Sequence, residues 1–110
     1  DKQTDTPDSK VIRDALGLSV IPLDAEIGRA LGMTADVKGV VIDVPGAGTG
    51  AQVGLRRGDV IVSANYRALS TAAGLAAAVK DAKAAGRTAI LLGVKRRGAA
   101  TQYVAVRLED

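Results

Sequence analysis

The chain has 110 residues, 47% of them hydrophobic and 25% charged, which describes one compact domain and excludes a disordered tail. With no His and no Cys it cannot hold a Ser-His-Asp or Cys-His nucleophilic pair, nor the usual structural zinc sites. The net charge of +3 comes with only 2% aromatics, and without aromatic platforms for bases a nucleic-acid role has no support.

No apolar run approaches the roughly 20 residues needed to span a bilayer, and no signal peptide opens the chain. Ala supplies 20 of the hydrophobic positions, Val 13, Leu 10 and Ile 6, so the core is expected to consist of many small aliphatic contacts. The basic clusters Arg56-Arg57 and Lys95-Arg96-Arg97 sit beside turns and read as a solvated face.

In chain order, residues 1–10 are polar, contain Pro7 and read as a flexible linker, so the domain is expected to span 11–110. Leu16 to Leu23 is a short apolar run closed by Pro22, the pattern of a strand. Asp24 then caps a short helix that ends near Gly32. Gly39–Val44 reads as a second strand, Asp59–Asn65 as a third. Ser70 or Thr71 caps the longest helix, expected to run to about Ala85 and stop at Gly86. Thr88–Lys95 and Thr101–Leu108 are strands around an Arg97-Gly98 hairpin turn. There is no internal repeat.

Between the second and third strands, Gly46-Ala-Gly48-Thr-Gly-Ala51 fits a dinucleotide fingerprint. That chemistry needs a helix of real length behind the loop, and Gly54 and Gly58 end the helical stretch at once. The segment therefore reads as a loop, and no cofactor or metal is expected.

Three segments, taken together, carry more weight. Arg13 precedes the apolar-Gly-apolar triplet Leu16-Gly17-Leu18 at the opening of a strand. A small-residue turn leads into Gly54-Leu55-Arg-Arg-Gly58-Asp59-Val60-Ile61, and the long helix and two strands follow. This order resembles the PDZ domain, in the arrangement of the bacterial HtrA/Deg proteases and closest to their second, C-terminal PDZ domain. The resemblance covers about residues 11–108.

The resemblance implies an α+β fold, a small, partly open antiparallel β-barrel or sandwich with two helices. It further implies a non-catalytic module that binds peptide C-termini by β-augmentation. The carboxylate would be held by the amides of Leu16, Gly17 and Leu18, with Arg13 adding charge. The peptide would pair along Ser19, Val20 and Ile21, with the side chain of Ser19 pointing away, and Ala72, Ala76, Val79 and Lys80 would line the groove from the helix. Class I PDZ domains place a His at the helix start, where this chain has Ala72, so an apolar peptide preference is expected.

The family usually turns on Asn-Gly after the third strand. This chain has Asn65-Tyr66, which requires a different turn or a strained Asn65. By the same resemblance the parent is a trypsin-like serine endopeptidase of the bacterial periplasm, acting in protein quality control. The partners would be C-termini of misfolded or envelope proteins, together with the parent's protease and other PDZ domains. The alternative is a structural module for inter-subunit assembly that binds no free peptide; it is distinguished by a groove closed by the chain itself.

Overall fold

The computed structural model describes residues 7–33, 37–44, 52–96 and 99–108. The glycine-rich loop 46–51, the Arg97-Gly98 turn and the first six residues of the expected linker lie outside the described residues.

The first described element is a helix, α1 (Pro7–Leu16), which takes in the last four residues of the expected linker. Pro7 suits a first helical turn, where its missing N–H costs nothing. Val11, Ile12, Ala15 and Leu16 then form one apolar stripe, and Ile12, Ala15 and Leu16 are fully buried. A helix of ten residues is marginal in isolation. Burial of Ile12 and Leu16, each contributing roughly 1.5–3 kcal/mol, is what holds it.

The remaining elements follow the sequence pattern closely. They are β1 (Ser19–Pro22), α2 (Ala25–Ala30), β2 (Val40–Val44), β3 (Val60–Ala64), β4 (Arg67–Ala68), α3 (Ala72–Ala84), β5 (Ala89–Lys95) and β6 (Gln102–Arg107). Asp24 caps α2 by accepting from the Ile27 amide at 2.8 Å, and Thr71, not Ser70, caps α3 by accepting from the Gly74 amide at 3.0 Å. The first strand is shorter than expected because Leu16 closes α1 instead of opening β1.

All strand pairs are antiparallel, in the order β1-β2-β3-β5-β6, with β4 hairpinned onto β3. Alternation sorts the side chains onto two faces. Val20, Val40, Ile42 and Ile61 join Leu18, Leu75, Val79 and Val106 in the main core, beneath α1 and α3. Ile21, Val41 and Val60 face the other way, where they pack with Leu23, Ile27, Leu31 and Met33 around α2. The architecture is an open antiparallel sheet with three helices among the described residues, one more than the sequence pattern predicts.

The expected departure at Asn65-Tyr66 is resolved by the backbone. Both residues adopt positive φ, 51° and 68°, in a two-residue turn between Ala64 and Arg67. Asn65 is pinned there: its amide donates to the Leu91 carbonyl at 2.7 Å, and its Oδ1 accepts from the Leu91 amide at 3.1 Å.

Candidate peptide-binding groove

Among the described residues β1 pairs only with β2 and so forms one edge of the sheet, and α3 lies beside it. Val20 faces the α3 side, as alternation predicts. Ile21 turns its side chain into the α2 cluster, so only its backbone belongs to the edge. Ser19 and Val20 are half-buried, and Lys80 is exposed on the outer face of α3.

The loop that leads into β1 has a specific geometry. Gly17 sits in the left-handed region, with φ 74°, where a side chain would be strained. Its amide donates to the Arg13 carbonyl at 2.8 Å, which closes the C-terminus of α1. Leu16 is the last helical residue, and its amide belongs to the α1 ladder. Of the three amides expected to face a carboxylate, two are therefore engaged within α1, and only that of Leu18 lies beyond it. Leu16 and Leu18 are 0% and 1% exposed. Arg13 is exposed in the last turn of α1, where a cation also complements the helix dipole.

The faces of α3 show what lies against the expected groove wall. Ala73, Ala77, Lys80, Asp81 and Ala84 are exposed. One flank opens onto a cleft of about 600 Å³, lined by Asn65, Thr71, Gly74, Ala78 and Asp81. The opposite flank carries Ala72, Ala76 and Val79 at i, i+4 and i+7, the stripe assigned to the peptide. Helix α1 packs on α3, and its Ile12, Ala15 and Leu16 share one buried cluster with Ala76 and Val79. Ala76 is accordingly 1% exposed and Val79 0%, while Ala72, nearer the helix start, stays half-buried. The stripe expected to line the groove is thus buried along most of its length.

Ile12 and Ala15, buried in that same cluster, are not expected from the sequence to take part in the site. The signal was the i, i+1, i+4, i+5 spacing of Val11, Ile12, Ala15 and Leu16.

A second cleft, of about 330 Å³, lies between the end of α2 and the turn into β3, bordered by Leu31, Arg56, Arg57 and Arg96. Arg56 and Arg57 are exposed, as a solvated basic face requires, whereas Arg96 turns inward to the buried Asp59 at 3.1 Å. Among the described residues there is no cluster of His, Cys, Asp and Glu able to hold a metal ion, and no helix is long and apolar enough to cross a membrane.

The arrangement of an edge strand, a glycine turn before it and a helix alongside is that of a PDZ domain. The structure superimposes on the HtrA3 PDZ domain solved with a phage-derived ligand, FGRWV, with a TM-score of 0.61 and 19% identity over 86% of this chain and 81% of that one. The sequence is homologous to part of a protein described as a probable periplasmic serine endoprotease, DegP-like, of Brucella suis, with 39% identity over 80 residues. Its counterpart in Brucella abortus matches equally. The aligned region is 72% of this chain and 14% of those relatives, so the homology is that of one domain within a longer protein. No protein-family model matches the chain.

Proposed function

We propose that this domain recognises the free C-termini of misfolded or envelope proteins by adding them as a strand to β1. It would do so as the non-catalytic part of a periplasmic serine endoprotease engaged in protein quality control. The observation that carries the reading is the pairing of β1 on one side only among the described residues, next to α3, with Gly17 and Leu18 at its entrance. An unpaired edge offers backbone donors and acceptors to an extended peptide, and the half-buried Val20 and Ala72 offer it apolar contacts. The likeness to a PDZ domain solved with a ligand ending in Val supports an apolar last residue.

Calorimetry with a peptide ending in Val as free acid, and with its C-terminal amide, tests this. The acid is expected to bind with a Kd of about 1–100 μM, roughly 5.5–8 kcal/mol. Amidation removes the anion and is expected to weaken binding at least about tenfold. NMR shifts should cluster at residues 16–21 and 72–80. Equal affinity for acid and amide rejects the reading.

A second reading, a module for assembly with other subunits, is favoured by two observations: Ala76 and Val79 are buried, and the Gly17 amide is engaged. A stable dimer of the isolated domain in sedimentation, without peptide binding, would select it.

A further inference from the structure

We propose that α1 is a displaceable plug on the peptide site, so that a C-terminus is captured only when the last turn of α1 opens. This inference rests on the peptide-binding reading above and concerns the regulation of that same site.

Helix and peptide compete for the same atoms. The Gly17 amide donates to the Arg13 carbonyl at 2.8 Å, and one N–H cannot at the same time serve a carboxylate. The Leu16 amide is held in the same helical ladder. They compete for the same surface as well. The Ala72–Ala76–Val79 flank of α3 is the wall against which a peptide side chain would pack, and Ile12, Ala15 and Leu16 of α1, which packs on α3, share one buried cluster with Ala76 and Val79. Small residues at 72 and 76 let a helix approach closely, and would leave a shallow apolar trough once it departs.

The plug is also built to yield. Its ten residues, PDSKVIRDAL, include Pro, Ser, two Asp and two β-branched residues, a composition with little helical preference of its own. The Lys10–Asp14 pair at 3.5 Å is largely exposed on both sides and adds little. The helix stands because it packs, so whatever replaces that packing can unwind it. Gly17, already at positive φ, is the natural hinge. A site that is competent only part of the time binds with an apparent affinity lowered by the open fraction. Opening α1 in advance should therefore tighten binding without any new contact to the peptide.

The test compares wild type, Asp14→Pro and Asp14→Ala, each titrated with the acid peptide ending in Val. Asp14 is exposed, so the Pro variant acts on the helix through its missing N–H and its clash with the preceding turn. The Ala variant removes only the charge. Asp14→Pro is expected to bind at least tenfold more tightly than wild type, and Asp14→Ala within about twofold of it. Hydrogen exchange on wild type supplies a readout that needs no variant. On peptide addition the amides of residues 12–17 should lose protection, while those of residues 19–21 gain it.

Equal affinities for wild type and Asp14→Pro, or α1 amides that stay as protected as before, overturn the plug and leave the peptide reading standing. Absence of binding by all three proteins overturns both. Should Asp14→Pro lose its cooperative melting transition, the wild-type exchange pattern alone decides, in the same two directions.

Discussion

Asp59 and Arg96 are 37 residues apart in sequence and meet at 3.1 Å, Oδ2 to Nε, tying the turn before β3 to the end of β5. The same Oδ2 accepts from the Arg56 amide at 3.0 Å, and the Arg96 Nη2 donates to the Gly54 carbonyl at 2.9 Å. Asp59 thus satisfies the turn from within, while Arg96 clasps it from the adjoining strand. The side chain of Asp59 is 8% exposed, against 43% for Arg96, so the two ends of the bond are not equivalent.

Their substitutions should differ accordingly. Asp59→Ala leaves a backbone donor and a guanidinium without their acceptor and is expected to lower stability by about 2–3 kcal/mol. Arg96→Ala leaves Asp59 still bonded to the Arg56 amide and is expected to cost about 1 kcal/mol. Urea midpoints for the two variants check this order; a larger loss for Arg96→Ala would contradict it.

Asn65 and Tyr66 carry the left-handed turn between β3 and β4. Asn tolerates that region and here gains a side-chain bond to the Leu91 amide. Asn65→Ala loses both advantages, for an expected cost of about 1–2 kcal/mol. Tyr66→Gly relieves backbone strain but gives up the ring contact with Tyr103, whose centroid lies 5.3 Å away. These effects are each about 1 kcal/mol and opposed, so the net change should stay within about 1 kcal/mol. Thermal melts of both variants separate the two roles.

By the family resemblance Val79 is expected to line the peptide groove, where a carboxylate would block a ligand. It is instead fully buried among the residues of the main core. Val79→Glu is expected to cost about 3–5 kcal/mol through an unpaired buried charge, much of the stability of a small domain. Circular dichroism should show loss of the cooperative transition, not a folded protein that has merely lost its ligand.

Gly39 stands where β2 begins, against the backbone of β3. A Cβ there would run into the carbonyl oxygen of Ile61, an atom that cannot rotate away. Gly39→Ala should force β2 and β3 apart, at about 1–3 kcal/mol. NMR shifts confined to residues 39–42 and 59–62, with a lowered melting temperature, would show it.

How far the sequence reaches can be judged at particular residues. Val40, Val41 and Ile42 alternate between the two core clusters as a strand requires, and Asp24 and Thr71 cap the helices that follow them. The Gly58-Asp59-Val60-Ile61 string marks the turn and strand that Asp59 closes. These are local signals, each written within a few neighbouring residues, and together they determine the order of the elements and the PDZ-like fold.

The state of the site was not decided locally. Residues 7–10 are polar, and a ten-residue helix has too little stability alone for its pattern to compel it. Packing on α3 and β1 holds Pro7–Leu16 as a helix, and that helix engages the Gly17 amide and shares its buried cluster with Val79. The sequence determined which residues could form a carboxylate loop and a groove wall, because those depend on residue type and short spacing. Whether the loop's amides are free and the wall open depends on a contact between segments some 60 residues apart, and only the tertiary structure decides it.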